Sequence, residues 1–324
     1  MSFIPTPFTT PVIAPFTASA FRSTPYISPS EYRFAPTAVA TNALVAGSTN
    51  QAIDSLASLS QVISRASGEI DTYCFHRGEG TLAASVSIES GSFKVKPDGS
   101  VVLICNFKPI LQVVGVMLGP GPAQLVNMDS TSAQNIIIGN KTIILPGSWN
   151  SGLVTPNFSV WPSVNGMVYA SWSYINGWPN IALSADATAG QSTITVTPAS
   201  PGGTSLAGIY ANTQLTIHDG SNTEVVVSTG MPTGLTIDLA APLAYNHTVP
   251  TAPDFLRVSA IPWAVEQATI SLTSFFIKAQ GNRAQVLGKV GTPAAKQAAG
   301  RAGASDDYET ALKLLEPFRT TYIH

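Results

Sequence analysis

The four histidines of this chain are the side chains best suited to metal binding or acid–base chemistry at neutral pH. They are His76, His218, His247 and His324. None stands in the HExxH arrangement or at another spacing that pairs two metal ligands. His218 opens the triplet HDG (218–220), which could belong to a metal or acid–base site but is more typical of a turn between strands. The sequence therefore predicts no catalytic residue, no metal ligand and no cofactor.

Motifs for nucleophilic and phosphate chemistry are also missing from the sequence. It contains no GxSxG elbow, no P-loop and no GxGxxG motif after a strand. The acidic residues are dispersed, so no carboxylate pair can be assembled from the sequence alone. We therefore expect a protein that is not an enzyme.

A dense aromatic stretch, ASWSYINGWPN at residues 170–180, offers a different kind of chemistry. Rings such as those of Trp172 and Trp178 can stack on sugars, and with Trp263 they would suit a β-rich carbohydrate-binding module. Alternation along a strand favours another interpretation, in which Trp172 and Tyr174 share one face of the strand. This second interpretation makes the aromatic stretch a structural feature.

The residues that follow these aromatics indicate a change of direction. Gly177, Pro179 and Asn180 are turn residues, and they come directly after the predicted strand. We expect these three residues to form the hinge through which the chain enters the next structural unit.

The composition indicates a protein whose surface is covered by partners. Charged residues make up 10% of the chain, against roughly 25% in ordinary soluble domains. Interface cores are depleted of charge, so this favours a subunit of an assembly. The net charge of −2 provides no basic field for nucleic-acid binding. Cys74 and Cys105 fit either buried thiols in a reducing compartment or a single bridge.

The sequence predicts no passage through or into a membrane. No apolar run is long enough to cross a bilayer, and the first residues lack the basic start and apolar core of a signal peptide. We expect the chain to be made and assembled in a cytoplasm.

Two helices are predicted on either side of a β-rich middle. Apolar residues recur at helical spacing over 49–75 and again over 262–280. Between them, SFKVKPDGSVVLICNF is predicted to be a hairpin with its turn at 97–99. Further strands are predicted at 109–118, 134–145 and 166–175. Short strands separated by turn residues predict a compact β module at 183–250.

Both ends of the chain are predicted to be arms that contact neighbours. Residues 1–40 are rich in proline and apolar residues, which is typical of an extended arm lying on another subunit. Residues 286–324 combine a Gly/Ala-rich linker with a short helix at 304–320 whose apolar strip has no obvious place in its own core. We expect that helix to dock on a partner surface through Tyr308, Leu312, Leu315 and Phe318.

The sequence from the aromatic stretch onward resembles a module of head–tail adaptor (connector) proteins from tailed bacteriophages of actinobacteria. The module has wording of the type Y-x-N-G-x-P-N, A-G, T-S-I-T-V and G-I-Y-x-G-T-x-L-x-I-x-D-G. The matching residues here are Tyr174, Asn176, Gly177, Pro179, Asn180, Gly190, Ile194, Val196, Gly208, Ile209, Tyr210, Leu215, Ile217, Asp219 and Gly220. The segment LSQVISRASGEIDTYCF is similar to the first core helix of these adaptors, and VSAIPWAVEQATISLTSFFIKAQG to their closing helix. The resemblance covers about residues 45–285.

The resemblance implies an α+β fold, with a small helical-bundle adaptor core, hairpin and strands, an inserted all-β module and arms at both ends. Core residues 41–182 and 251–285 would enclose the module, 183–250. It implies a ring, commonly of twelve copies, between the portal and the tail of a virion. The implied partners are other copies, the portal, a stopper or tail terminator, capsid through the N-terminal arm, and DNA passing non-specifically. Another neck or tail protein is the alternative.

Overall fold

Helices and antiparallel sheets both contribute to the structure, which confirms the predicted α+β class. The structure is a computed structural model, and it describes the following residues: 24–41, 44, 51–75, 80–128, 136–146, 166–198, 208–279 and 304–319. The helices are α1 (Pro29–Phe34), α2 (Gln51–Cys74), α3 (Trp263–Ala279) and α4 (Ala304–Leu315), and a 3-10 turn follows at Glu316–Phe318.

Helices α2 and α3 occupy the two regions where the apolar periodicity predicted them. The buried residues of α2 include Leu59, Ile63, Ala66 and Ile70, which repeat at intervals of three and four. Ala66 and Ile70 pack with Val265, Ala268 and Leu272 of α3. Leu59 and Ile63 belong to a second cluster, against which Ile270 and Ile277 of α3 pack. The helical part of the core is therefore built by residues that are far apart in the chain.

Two antiparallel sheets form the first β layer. One has the order β1 (Ser85–Lys94), β7 (Met167–Asn176), β3 (Ile110–Gly119) and β4 (Val126–Asn127). The other has the order β2 (Val101–Ile104), β6 (Thr142–Leu145) and β5 (Ile137–Ile138). Their inner faces share one apolar core, to which Leu103, Leu118, Ile143, Val168 and Trp172 contribute.

The predicted hairpin is wrong, although its turn is present. The amide of Lys96 donates to the carbonyl of Ser100 at 2.9 Å, and Gly99 donates back to Lys96. The flanking strands nevertheless belong to different sheets, since β1 pairs with β7 and β2 with β6. Turn residues fix the local reversal, but burial of Val101 and Leu103 in the shared core decides which sheet the second strand joins.

The remaining strands form a second β unit with its own core. Its larger sheet has the order β11 (Glu224–Val227), β10 (Gln214–His218), β13 (Arg257–Ser259) and β8 (Asn180–Ala182). A small ladder joins β12 (Thr236–Asp238) to β9 (Thr193–Thr195). Strands β8 and β13 lie outside the predicted bounds 183–250, yet both complete this sheet.

The N-terminal segment departs from the predicted arm over all of its described residues. Tyr26, Ile27 and Tyr32 are fully buried against the chain's own helices. Ser28 caps α1 in a capping box with Glu31, so the segment is locally helical. The prediction that 1–40 extends onto a neighbour is therefore wrong for 24–40, and residues 1–23 lie outside the described residues.

The C-terminal helix also has a place in its own chain, which corrects the expectation that it has none. Leu315 is fully buried among α2 and α3, and Tyr308 and Phe318 pack against the same cluster. Lys278 of α3 forms an ion pair with Asp307 of α4 at 2.5 Å. The apolar strip that predicted a partner surface is thus the side of α4 that faces this chain's own core.

Candidate functional site

A single arginine lies at the centre of the most highly charged buried region among the described residues. Residues 142–256 contain no Lys or Arg, and Arg257, which ends this tract, is fully buried. Its Nη2 donates to Glu31 at 2.6 Å and to Glu266 at 2.5 Å, and it lies 3.0 Å from Nε2 of His218. Its Nε donates to Glu31 as well. We call these four residues the Arg257 cluster.

Four separate elements position the cluster. Glu31 comes from α1, where its carboxylate also accepts the amide of Ser28 at 2.6 Å. His218 ends β10 and stands opposite Arg257 of β13 in the sheet register. Glu266 lies in the first turn of α3. The cluster therefore joins the N-terminal segment, the second β unit and the helices.

Burial and charge act against each other in the cluster. Burial lowers the pKa of His218, and the positive charge of Arg257 lowers it further, while Glu31 and Glu266 oppose this shift. Burial alone would raise the pKa of Glu31, but the charge and hydrogen bonds of Arg257 hold it below its usual range. The two carboxylates in turn raise the pKa of Arg257 against the effect of burial. The favoured state is a guanidinium between two carboxylates, with a neutral imidazole beside it.

The cluster has the ligand types of a metal site, but a cation already occupies it. Potential ligand atoms of Glu31, His218 and Glu266 lie within 4.8 Å of one another, a set that would suit a divalent transition metal. Nη2 of Arg257 contacts all three residues, and a metal ion there would meet this positive charge. The residues thus fit an internal ion-pair network better than a metal centre.

A second buried histidine lies on the other side of strand β10. His247 has no exposed side-chain surface, and its Nδ1 is 2.9 Å from Asp219 while its Nε2 is 2.7 Å from Glu224. The carboxylate of Glu224 also accepts the amides of Ala244 and Tyr245, which lowers its pKa despite burial. The three side chains tie the loop before β13 to β10 and β11.

The triplet HDG therefore contributes to two charged groups. His218 belongs to the Arg257 cluster, and Asp219, the next residue, bonds to His247. Sequence reasoning singled out this triplet but favoured a turn, and a 3-10 turn does follow at Gly220–Asn222. It missed Glu31, Glu266 and Arg257, whose one visible signal was the isolated arginine at the end of a tract without basic residues.

The predicted hinge residues form a turn that is tightly held. Gly177 has a φ of +91°, and a Cβ there would lie 2.7 Å from the carbonyl oxygens of Leu82 and Ala83. The amide of Trp178 donates to Leu82, and the carbonyl of Pro179 accepts from Ala260. The side-chain amide of Asn180 donates to the carbonyl of Thr24 at 3.0 Å. Residues 177–179 connect β7 to β8, whose first residue is Asn180.

The aromatic residues do not form a shared stacking surface. Trp172 and Tyr174 point into the same core from one face of β7, which confirms their predicted alternation. Trp178 is half-buried and packs edge-on against Phe318 at 5.6 Å. Trp263 is 70% exposed at the start of α3. Because Trp172 is buried, it cannot take part in a platform on which sugars stack.

The other predicted functional residues are buried or partly buried. Of the four expected docking residues, Leu315 is fully buried, and Tyr308, Leu312 and Phe318 are partly buried. Cys74 and Cys105 are buried and form no disulfide with each other, which favours the thiol alternative over a bridge. Burial raises the pKa of each thiol to about 12, so neither is a reactive thiolate at neutral pH.

Comparison with known proteins does not assign the chain to a group. No family model matches it, and no match was found among curated proteins. Within the described residues, no helix combines the length and apolar character that crossing a membrane requires.

Proposed function

We propose that the chain is a head–tail adaptor of a tailed bacteriophage, acting as a structural subunit of a ring between portal and tail. One observation carries this proposal: the ordered similarity of residues 45–285 to adaptors of actinobacterial phages. The helices and the β unit that supply these motifs are both present in the fold. The ring, with twelve copies as the expected number, would leave a channel through which genomic DNA passes without sequence-specific contacts.

The chemistry of the buried groups supports an assembly role over catalysis. The guanidinium of Arg257 and the imidazole of His247 are each engaged by two carboxylates and have no exposed side-chain surface. The two networks of charged side chains therefore hold helices and strands in position, as expected for a structural protein.

Exposed apolar side chains give further support. Several large hydrophobic residues are at least 49% exposed, and such residues mark an interaction surface where they form a contiguous patch. Those among the described residues are Phe34, Ile104, Val114, Ile137, Met167, Val225, Met231 and Trp263. Neighbouring copies in a ring would cover such residues, which agrees with the low content of charge.

The proposed partners follow from the position of the ring. They are other copies of the chain, the portal above, a stopper or tail terminator below, and capsid. Because residues 24–41 fold onto the chain itself, the proposed contact with capsid is assigned to the proline-rich residues 1–15. The proposed location is the head–tail interface of the virion, reached by assembly in the host cytoplasm. Docking of the portal through Tyr308, Leu312, Leu315 and Phe318 requires α4 to leave its present place.

A mixture of the purified chain with portal rings encoded in the same genome tests this proposal. Light scattering and negative-stain microscopy should show a ring-shaped collar on one end of each portal, and tail-tube rings serve as the matched control. A collar on the tail tube alone would instead identify another neck or tail protein. A stable monomer that ignores both rings would contradict the adaptor, and a glycan array would then test the carbohydrate-binding alternative through Trp178 and Trp263.

A further inference from the structure

His247 has a carboxylate at each of its two ring nitrogens. Its side chain has no exposed surface, whereas the side chains of Asp219 and Glu224 are 27% and 12% exposed. Nδ1 lies 2.9 Å from Oδ2 of Asp219, and Nε2 lies 2.7 Å from Oε1 of Glu224. A neutral imidazole has one N–H donor, so it can donate to only one of two ionised carboxylates. The imidazolium has two donors and satisfies both.

The surroundings of Glu224 assign a proton to Nε2 of His247. The carboxylate of Glu224 also accepts the amide of Ala244 at 2.9 Å and the amide of Tyr245 at 3.3 Å. Burial acts to raise the pKa of Glu224, but these amides and the bond to His247 outweigh burial and hold the pKa below its usual range. Glu224 is therefore an ionised acceptor, and Nε2 is the donor of the bond between them.

The other ring nitrogen faces a carboxylate that water can reach. Because Asp219 is partly exposed, the solvent stabilises its charged form, and Nδ1 of His247 must then donate to Oδ2. A lone pair of Nδ1 at 2.9 Å from this oxygen would leave two acceptors facing each other beside a fully buried ring.

The charge balance around the ring also favours the imidazolium. Residues 142–256 contain no Lys or Arg. Of the described residues, His247 is the only basic side chain that forms an ion pair with Asp219 or Glu224. A third acid, Asp186, accepts an amide of the segment that contains His247. The acids that face this histidine thus come from the end of β10, from β11 and from the chain before β9, and all of them stabilise a positive ring.

The ring of His247 holds the segment 243–249 in place. On one side, His247 exchanges two backbone hydrogen bonds with Ala187. On the other side, the segment reaches β10 and β11 through Asp219 and Glu224. Loss of one ring proton would turn one of the two side-chain bonds into a contact between two acceptors, which weakens the attachment on this side.

We propose that His247 is an imidazolium at neutral pH and that loss of its second proton at alkaline pH releases residues 243–249 from β10 and β11. A histidine in the unfolded chain releases this proton near pH 6.5, while the folded chain keeps it. The folded state therefore binds more protons above that pH, so the stability that the ion pairs contribute is complete below about pH 6.5 and is lost as pH rises. This pH dependence belongs to the β unit, whether or not the chain is an adaptor.

Nitrogen-15 NMR of the histidine rings in the full chain tests the charge state. At pH 7 both ring nitrogens of His247 should have the chemical shift of a protonated nitrogen. His218 provides the internal comparison, because a neutral ring beside Arg257 has one protonated and one bare nitrogen. A bare Nδ1 in His247 at pH 7 would overturn the proposal, since the proton would then lie on Asp219 or be absent.

The same samples test the release of the segment. As pH rises, the backbone amide signals of Ala244 and Tyr245 should shift with the midpoint at which the ring of His247 loses its proton. Amide signals that stay constant through this midpoint would contradict the release.

Urea unfolding between pH 6.5 and 8 measures the effect on stability. The unfolding constant of the natural chain should increase at least about threefold over this range, whereas that of His247→Gln, which has no such proton to lose, should change by less than about twofold. The control is His218→Gln, which should keep the natural pH dependence because His218 is neutral in the folded chain over this range. Equal pH dependence in His247→Gln and the natural chain would overturn the proposal.

Discussion

At the scale of single residues, the turn at Gly177 has two separate reasons for its glycine. Its φ lies in the left-handed region, and its Cβ position would meet two carbonyl oxygens of the backbone. Gly190 has nearly the same φ, +88°, but open space around the Cβ position. The two positions therefore separate the conformational cost of a side chain from the steric one.

We predict that Gly177→Ala is much more destabilising than Gly190→Ala. Gly190→Ala should cost about 1 kcal/mol of unfolding free energy because only the backbone conformation is strained. Gly177→Ala should cost at least about 3 kcal/mol, since the backbone at 82–83 must also move. Urea denaturation of both variants measures the difference. Equal losses would mean that the contact with Leu82 and Ala83 does not restrict this turn.

A second prediction at this scale concerns Arg257. Arg257→Met removes the cation and leaves Glu31 and Glu266 facing each other in a largely buried place, which should cost about 3–5 kcal/mol. The control is Arg319→Met, because Arg319 pairs with Glu316 at an exposed position, and this change should cost less than about 1 kcal/mol. Thermal and urea unfolding measure both. A small effect of Arg257→Met would show that the cluster does not hold the three parts together.

At the scale of elements, long periodic patterns predict the helices and several strands. They do not predict which strands pair with each other or how the terminal segments fold. The stripes of α2 and α3 repeat over several turns, so local sequence determines them. The partner of β2 depends on a core assembled from distant strands, which no local pattern records. The segment at 24–40 looked like an arm because of its prolines, although Ser28 and Glu31 carry the capping-box spacing that marks a helix start.

The Arg257 cluster could not be predicted from the sequence, for a related reason. Its four members come from positions 31, 218, 257 and 266 and meet only after the β unit and the helices have packed. The triplet HDG is the one part of the cluster that a local pattern indicates, because two polar residues stand together at a strand end. Charges that are dispersed in sequence give no sign that folding will bring them into one network.

A prediction at this scale tests the position of α4. Leu315→Ala should lower the free energy of unfolding by about 2–5 kcal/mol, the usual range for a fully buried leucine. Leu312→Ala on the same helix should have a clearly smaller effect, because Leu312 is partly exposed. Urea midpoints of the two variants give the comparison. If Leu315→Ala left stability unchanged, α4 would not occupy its place on α2 and α3 in solution.

At the scale of the whole molecule, the buried ionisable groups make stability depend on pH. The folded state lowers the pKa of His218, so the unfolded chain takes up this proton first as pH falls below about 6.5. The folded state also lowers the pKa of Glu31, which extends the loss of stability below about pH 4.5. Burial of Glu89 acts the other way, because its raised pKa costs stability as pH rises from about 4.5.

We predict that the loss of stability below pH 6.5 belongs to His218. The free energy of unfolding of the natural chain should fall between pH 6.5 and 5, and His218→Gln should flatten this part of the profile. Urea titrations at a series of pH values measure both curves. The difference between the two curves removes the opposite contribution of Glu89, which both proteins share. Identical slopes in the two proteins would contradict this assignment.

The absence of basic residues before Arg257 also determines where trypsin can cleave the protein. The enzyme cuts after Lys or Arg, so the unfolded chain yields residues 142–257 as a single very long peptide. Cleavage at its C-terminal end needs the Arg257 side chain in the enzyme's specificity pocket, while the folded chain keeps it between two carboxylates. The rate of this cleavage, followed by mass spectrometry, would measure how often the contacts between the N-terminal segment, the β unit and the helices open.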